Sequence, residues 1–396
     1  MTVVSVAWTY LRGRAVTSAL TIFSIALGVS LVIASVLLTQ GIRASFIEGT
    51  TDYNLIVGAK GSPTQLVLSA VFRLDVATPN ILYSVYEQLQ DDDRVNIAVP
   101  VSLGDAYQGF RYVATTPEYF APQPWRRKSF RLAQGRLFTH EPPEAPTYGA
   151  VLGAAVARRT GLRAGDQFYE GEEMAEYPLT VVGILRPTHS ADDRAIFCSL
   201  ATYWDMNEIA REMPVKPLTA VLVRPQRMSD LPGLHREFNV RGETQAVFPS
   251  AILLTIFQLL SLAEEVLTII LILVAVVVML YLFVSMYSAT LERKREIATM
   301  RALGARRLTI LSLVLLESTT LALFGAIFGL VGGHGLTCVG TYLLAQRSGI
   351  ALHPFQLSPL QLAVVIGVMI LGIVAGLIPA MLAYRTEVAE NLAPLS

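Results

Sequence analysis

Four long apolar stretches restrict the folds that are open to this chain. They fall within residues 17–40, 251–290, 309–345 and 360–384. A helix of about 20 apolar residues crosses the roughly 30 Å of hydrocarbon in a bilayer, and each stretch reaches that length. Only 16% of the residues are charged, whereas a soluble domain usually carries about 25%. We therefore predict an integral membrane α-helical protein with four transmembrane helices.

The first three stretches need further interpretation. The apolar core of the first is longer than the roughly 7–15 residues of a cleaved secretory signal, so we expect an uncleaved anchor. In the second, an apolar stripe at Ile252, Ile256 and Leu259 or Leu260 precedes the span. Residues 251–290 are therefore predicted to form an outward stalk and the second transmembrane helix. Several glycines in the third stretch leave its end undefined.

The Lys and Arg residues near the ends of these stretches predict the orientation of the chain. Cytoplasmic segments of membrane proteins carry an excess of both residue types. Here they precede the first stretch, fill the segment 291–308 and follow the fourth stretch, at Arg12, Arg14, Arg293, Lys294, Arg295, Arg301, Arg306, Arg307 and Arg385. The outer loop predicted at residues 346–359 has only Arg347. Both termini, including the tail 385–396, are therefore expected in the cytoplasm, with residues 41–250 outside.

Residues 1–16 are predicted to form an amphipathic interfacial helix. Val4, Trp8 and Leu11 recur at a helical spacing, and two arginines follow them. This pattern is typical of a helix that lies at the membrane surface. A frayed start of the first span fits the same periodicity, so both interpretations stay open.

The outer region, residues 41–250, has the pattern of a folded domain. Short strand-like runs recur in it, among them "RVNIAVPVSL", "FRYVATT", "YPLTVVGIL", "RAIFCSL" and "LTAVLVRP". The stretch "GAVLGAAVARRTGL" has the pattern of a strand followed by a helix. Strands mixed with few helices predict a large α+β extracytoplasmic domain of at least two small lobes.

One apolar segment near the start of this domain, "NLIVGAKGSPTQLVLSAVFRL", is broken by Gly58, Gly61 and Pro63 and cannot be a fifth span. It is a candidate for a loop and short helix that line a substrate path, with the apolar side chains of Leu55, Ile56, Val57, Leu66 and Leu68. An ordinary core strand and turn of the domain is the alternative, and we favour it.

The sequence lacks four motifs that mark nucleotide-binding, catalytic or zinc sites. There is no P-loop, no H-E-x-x-H, no G-x-S-x-G and no paired-cysteine zinc pattern. His189, Asp192 and Asp193 could be imagined as a metal site, but a solvated turn is favoured because no further ligands cluster there. The net formal charge of zero gives no reason to expect a nucleic-acid partner. We expect no catalytic residue, no metal site and no cofactor bound by this chain.

Two polar residues interrupt the third apolar stretch, Glu317 and His334. Ionisable residues within spans are costly and are functional candidates by default. For Glu317 we favour a structural hydrogen bond, to a neighbouring helix or to a hydroxyl such as that of Ser318. A proton relay is the alternative, but further buried acids or histidines are missing nearby.

Residues 291–308, "LERKREIATMRALGARRL", place a charged segment between two spans. Its residues favour a helix that Gly304 is well placed to end. A topogenic loop needs only Lys and Arg, and so does not explain the acids or the apolar strip of Ile297, Met300 and Leu303. We therefore favour a docking surface for a cytoplasmic protein. Its predicted docking residues are Glu292, Arg293, Arg295, Glu296, Arg301 and Gly304.

This segment resembles the signature of FtsX/MacB-type (type VII) ABC transporter permeases. The similarity lies in E-R-x-R-E-I, then R-A-x-G-A, then an apolar span that carries a Glu. The ending "AGLIPAMLAYRTEVAENLAPL" is also similar to that family, and "GAVLGAAVARRTGLRAGDQF" resembles its outer domain less specifically. Ala298 departs from the glycine that is common after R-E-I.

The resemblance implies that residues 291–308 are a coupling helix that meets an ABC ATPase subunit. With no P-loop here, ATP and Mg²⁺ are expected to be bound by a separate partner. It further implies a homodimer of this permease, a periplasmic adaptor or lipoprotein as a candidate partner, and the bacterial inner membrane as location. The implied function is mechanotransmission, which couples the ATPase to export or extraction of a substrate at the outer side.

Two other functions were weighed against this one. An FtsX-like regulatory transducer would activate an extracytoplasmic partner, such as a cell-wall hydrolase, without transport. An intramembrane enzyme would need a catalytic constellation, and the sequence shows none.

Overall fold

The computed structural model describes residues 3–50, 52–74, 78–123, 130–139, 146–169, 177–188, 190–348 and 358–385. The helices are α1 (Val3–Gly13), α2 (Ala15–Thr50), α3 (Pro63–Ala70), α4 (Tyr83–Gln90), α5 (Ala154–Thr160), α6 (Leu200–Met206), α7 (Glu208–Glu212), α8 (Leu231–Val240), α9 (Pro249–Glu292), α10 (Lys294–Ala302), α11 (Arg307–Ser348) and α12 (Pro359–Arg385). The strands are β1 (Leu55–Ala59), β2 (Ile81–Leu82), β3 (Val95–Tyr107), β4 (Phe110–Thr115), β5 (Leu132–Gly135), β6 (Gly149–Leu152), β7 (Gln167–Phe168), β8 (Leu179–Leu185), β9 (Ala195–Ser199), β10 (Pro217–Leu218), β11 (Ala220–Pro225) and β12 (Thr244–Val247).

The described residues form two compact units. The membrane unit lies within Met1–Gln40, Ser261–Thr341 and His353–Ser396, and the outer domain within Gly41–Leu260 and Tyr342–Leu352. Each unit has its own core.

Among the described residues, four helices are long and apolar enough to cross a membrane, in agreement with the predicted number. These segments are Ala15–Ala44, Pro249–Glu292, Arg307–Leu343 and Pro359–Tyr384. The stalk and the second span share one unbroken helix, α9. Most of the outer loop and nearly all of the tail predicted from the sequence lie outside the described residues.

The glycines of α11 do not end the third span, because α11 continues past them to Ser348. Instead they lie against α2. A Cβ atom on Gly329 would be 2.4 Å from the Cβ of Val29, so only glycine permits this approach. The Ser30 hydroxyl of α2 donates a hydrogen bond to the Gly329 carbonyl at 3.1 Å. Small residues let membrane helices pack closely where lipid offers no hydrophobic drive between them.

The N-terminal segment is a separate helix, α1, and α2 starts at Ala15 after a break at Arg14. Among the described side chains of α1, Ala7 and Leu11 are buried, whereas Trp8 is exposed. That α1 is an amphipathic helix at the membrane surface stays a prediction. The Arg12 guanidinium lies 5.4 Å from the Trp8 ring centroid, and the Trp8 and Phe324 ring centroids are 6.3 Å apart.

The outer domain is built on one ten-stranded mixed sheet, in the order β12-β1-β11-β3-β4-β9-β6-β8-β5, with β7 beside β8. A second sheet pairs β10 with β2. The strand-like runs form β3, β4, β8, β9 and β11, and the strand-then-helix run forms β6 and α5. The domain therefore has the expected mixture of helices and strands.

One sheet runs through both halves of the described domain, and its division into at least two small lobes stays a prediction. Strand β9 pairs in parallel with β4 on one side and antiparallel with β6 on the other. It thereby joins the two halves into one sheet. These are non-local pairings, which local sequence patterns do not reveal.

Candidate functional site

The charged segment between the second and third spans folds into a short helix with defined ends. Helix α9 stops at Glu292, Arg293 leaves the helical conformation (φ −97°, ψ 9°), and α10 follows. At its other end Gly304 has a φ of +99°. The Gly304 N–H donates to the Arg301 carbonyl and the Ala305 N–H to the Met300 carbonyl, both at 3.0 Å. This pair of bonds is a Schellman motif, which requires the left-handed residue that glycine supplies.

One side of α10 is exposed and carries both charges and an apolar residue. We call it the docking face, and it consists of Arg295, Glu296, Thr299, Ala302 and Leu303. The other four residues are each three or four positions from Thr299 and therefore adjoin it on the helix. The Leu303 side chain is 84% exposed. An exposed leucine among charges has the character of a protein contact surface, where an apolar anchor lies within a polar rim.

The opposite side of α10 packs into the membrane unit through Ile297 and Ala298, which are buried. The apolar strip predicted from the sequence is therefore divided: Ile297 faces inward, Met300 is half-buried and Leu303 faces outward. Ala298 has no exposed surface, so the position that departs from the family's glycine is a packing position.

Arg293 lies within the protein rather than on the docking face. Its Nη1 atom is 3.0 Å from Oε2 of Glu317 and 3.3 Å from Oε1. The two side chains are only 12% and 7% exposed. Glu317 thus has a structural partner, as we favoured, but that partner is Arg293. The Ser318 hydroxyl instead donates to the Leu315 carbonyl.

A tyrosine of α1 completes this buried cluster. The Arg293 guanidinium lies 4.3 Å from the centroid of the Tyr10 ring, a cation–π contact. The Tyr10 hydroxyl is 3.9 Å from the Met300 sulfur. Burial, and next the Glu296 carboxylate, raise the pKa of Tyr10. We call Tyr10, Arg293 and Glu317 the buried cluster; it joins α1, the turn before α10 and α11.

The remaining predicted docking residues, Glu292 and Arg301, differ in exposure. Glu292 is exposed and forms an ion pair with Arg14. Arg301 is half-buried.

His334 is half-buried in α11, far along the helix from Glu317. A sequence signal for the Arg293–Glu317 pair did exist, since a carboxylate within a span needs a cation and the nearest basic residues precede α11. Sequence could not single out Arg293 from its basic neighbours.

The residues predicted to line a substrate path are mostly buried in the core of the outer domain. Leu55, Ile56 and Val57 form β1 and have no exposed surface. Leu66 in α3 is fully buried and Leu68 is half-buried. The alternative interpretation, a core strand and turn, describes them correctly.

The aspartates considered as metal ligands also need a correction, because the solvated-turn interpretation was wrong. His189 lies outside the described residues, while Asp192 and Asp193 are buried. Asp192 accepts a hydrogen bond from the Tyr119 hydroxyl at 2.7 Å, and Asp193 accepts from the Thr188 N–H at 2.7 Å. Among the described residues, no three His, Cys, Asp or Glu side chains form a group that could hold a metal ion.

Comparison with known proteins covers nearly the whole chain. Residues 18–237 match the model of the MacB-like periplasmic core domain, and residues 268–388 match the FtsX-like permease C-terminal model. The macrolide export ATP-binding/permease protein MacB of Azoarcus sp. (strain BH72) is 25% identical over 97% of this chain and 58% of that protein. The chain thus spans 58% of the length of this curated relative, and the same share of the MacB of Nitrobacter winogradskyi.

Two further similarities are partial. An uncharacterized ABC transporter permease of Methanocaldococcus jannaschii, MJ1507, is 32% identical over 27% of each chain. The crystal structure of the periplasmic region of MacB from Actinobacillus actinomycetemcomitans aligns with 53% of this chain and 95% of that one, at 12% identity and a TM-score of 0.38. The assignment rests on the family models, the first of which matches more than half of the 396 residues. The chain belongs to the FtsX/MacB-type family of ABC transporter permeases.

Proposed function

We propose that this permease receives force from an ABC ATPase subunit at the docking face of α10 and transmits it through the membrane by mechanotransmission. One observation carries the proposal. Helix α10 offers an exposed surface of charges and Leu303, while its other side is tied to α11 by the buried Arg293–Glu317 pair. Such a helix can bind a partner and pass on its movement.

The buried pair explains how movement of α10 would reach the spans. Removing one member of a buried ion pair costs about 3–5 kcal/mol, because the other charge is left buried alone. A push on α10 therefore moves Glu317 and α11 with it more readily than it separates the pair. Helix α9 ends directly before Arg293 and runs unbroken from Pro249. It would carry the same displacement outward over its 44 residues.

The proposal also includes the partners and the location of this permease. ATP and Mg²⁺ would be bound by the ATPase subunit, since the sequence contains no P-loop. We propose a homodimer with two such subunits, located in the bacterial inner membrane with both termini in the cytoplasm. Movement at the outer side would export or extract a substrate there, with a periplasmic adaptor or lipoprotein as a further partner.

The test changes the docking face and leaves the buried cluster intact. The variants are Arg295→Glu and Leu303→Asp, both at exposed positions. Glu87→Arg, exposed on α4 of the outer domain, is the matched charge-reversal control. Each chain is purified from membranes with its ATPase subunit and reconstituted into lipid nanodiscs, and Mg-ATP hydrolysis is measured per permease.

Leu303→Asp is expected to reduce ATPase association by tenfold or more, since loss of an interface anchor costs about 2 kcal/mol. Arg295→Glu is expected to weaken it less, and Glu87→Arg should not change it. If both docking-face variants retain the ATPase and its stimulation, the proposal is wrong.

A further inference from the structure

The outer domain contains a cavity that the coupling mechanism does not use. It has a volume of about 300 Å³ and lies where β3, β4 and β9 meet α6 and α7. Its lining includes three tyrosines, Tyr112, Tyr177 and Tyr203. A cavity of this size, with both apolar and polar groups in its lining, can hold a small ligand.

The aromatic walls are fixed in position by the fold. Tyr112 is a buried residue of β4. The Tyr203 ring lies against the backbone of β3, where a Cβ atom on Gly104 would be 3.0 Å from its Cε2 atom. The Tyr203 hydroxyl donates to the Leu103 carbonyl at 3.5 Å. These rings need little reorganisation to receive a ligand, which keeps the cost of binding low.

The charges around the cavity favour a cation. Asp105 and Glu208 are exposed lining residues, and the described residues give neither an ion-pair partner. The basic lining residue, Arg211, is already engaged: its Nε atom donates to the Asp205 carbonyl at 2.7 Å and lies 3.5 Å from Oδ1 of Asp205. Its charge is therefore balanced, and the two lining carboxylates leave the cavity negative.

One aromatic ring of the lining already contacts a cation. The Arg211 guanidinium lies 4.8 Å from the Tyr177 ring centroid. At the rim, Ile209 is 76% exposed and offers an apolar contact. Tyrosine faces attract ammonium groups by the ring quadrupole, and more strongly where water is partly excluded.

We propose that this cavity binds an organic cation, a primary, quaternary or guanidinium group on a small apolar body. The cation would lie against the Tyr203 ring with Asp105 and Glu208 as counter-charges. The apolar body would contact Met206 and Ile209. This site is independent of the docking face, so its test needs no ATPase.

Benzyltrimethylammonium is titrated into the full chain in zwitterionic nanodiscs, and the heat of binding is measured by calorimetry. Empty nanodiscs are the blank. Benzyl alcohol and benzoate serve as the neutral and anionic analogues. Saturable binding of the cation, at least tenfold tighter than that of either analogue, is expected. No saturable binding, or equal binding of an analogue, overturns the proposal.

Variants locate the binding. Replacing both carboxylates, Asp105→Asn with Glu208→Gln, is expected to weaken binding by roughly tenfold, since each exposed charge contributes a severalfold effect. The matched control, Asp91→Asn with Asp93→Asn, removes the same charge elsewhere on the domain and should bind as the native chain does.

Tyr203→Phe keeps the ring and is expected to bind within about twofold of the native chain, whereas Tyr203→Leu should bind several times more weakly. Native affinity in the Asp105→Asn, Glu208→Gln variant, or an equal loss in its control, would place the binding outside this cavity and overturn the assignment.

Discussion

The membrane unit and the outer domain each bury an arginine beside a carboxylate and a tyrosine. The two clusters connect different parts of the fold. In the outer domain the Arg73 Nη2 atom donates to the Tyr119 hydroxyl at 3.4 Å, and that hydroxyl donates to Asp192 at 2.7 Å. In the membrane unit Arg293 contacts Glu317 and the Tyr10 ring. The first lies within the core of the outer domain, whereas the second connects the turn before α10 to α11.

The same chemistry should therefore have different consequences in the two units. Loss of the domain cluster removes stability from a sheet that is held by many other contacts. Loss of the membrane cluster also removes the link between α10 and α11. Measuring stability and ATPase stimulation on the same variants separates these two effects.

The largest effect is expected from Glu317→Leu in the membrane unit. It leaves the Arg293 guanidinium buried without its carboxylate, at a cost of about 3–5 kcal/mol. Thermal unfolding of the chain in nanodiscs should show this loss, and stimulation of the ATPase should fall with it. Glu265→Leu, at an exposed position of α9, is the control and should leave both measurements unchanged.

A second variant separates folding from coupling at the same place. Arg293→Met combined with Glu317→Leu replaces the pair with apolar side chains, and is expected to recover most of the stability. ATPase stimulation should remain lower than in the native chain, because the directional contact is lost. Full recovery of stimulation would show that the pair has only a structural role.

A smaller effect is expected from Tyr119→Phe in the outer domain. It removes the donor to the buried Asp192 carboxylate, and a buried acceptor left without its donor costs about 1–3 kcal/mol. ATPase stimulation per folded molecule should not change. Tyr107→Phe is the control, because the Tyr107 hydroxyl accepts only an exposed hydrogen bond from Gln108 among those described. Altered stimulation in Tyr119→Phe would remove the proposed contrast between the clusters.

The contact between α2 and α11 offers a comparison within the membrane unit. Gly329→Ala would bring a methyl group to 2.4 Å from the Val29 Cβ, and overpacking of this kind costs about 1–3 kcal/mol. Gly335→Ala on the same helix meets no atom within 4 Å and should be neutral or slightly stabilising. Thermal unfolding of both variants tests this, and equal midpoints would contradict it.

Local patterns predicted the parts of this structure that local interactions determine. The spans follow from apolar length, and the end of α10 follows from Gly304, because a left-handed residue with a Schellman motif is a local requirement. The strands β3, β4 and β8 follow from alternation. Helix α10 itself was predicted for the same reason, since its helix-forming residues and its stop signal lie within one short segment, whereas its docking role stays a prediction.

The features that depend on distant partners could not be predicted. Arg293 and Arg295 look alike in sequence, but the helix break at Arg293 turns one toward Glu317 and leaves the other in solvent. Strand β9 joins the sheet through partners on both sides that are separated from it in the chain. Tyr10 reaches Arg293 only through the packing of α1. The apolar segment at β1 resembled a path because composition does not distinguish a core strand from a lining.

The smallest of the predicted stability losses is expected at a solvent-accessible ion pair of the outer domain. Arg94 lies 2.6 Å from Asp92 and 2.7 Å from Glu237, and the Arg94 and Asp92 side chains are 40% and 18% exposed. Since solvent screens such pairs, Asp92→Asn is expected to cost less than about 1 kcal/mol. The hydrogen bond from the Arg94 side chain is the main cause that lowers the pKa of Asp92 below its usual value.

The pH dependence of this small effect gives it a second signature. Because the pKa of Asp92 is lower in the folded chain than in the unfolded one, its contribution is fully present above the usual aspartate pKa of about 3.9. It is lost as the pH falls through the folded value. The difference in unfolding free energy between the native chain and Asp92→Asn should therefore be constant from about pH 5 to 7 and shrink below about pH 4. A difference that grows on acidification would mean that Asp92 is stabilised in its protonated form, contrary to its contacts with Arg94.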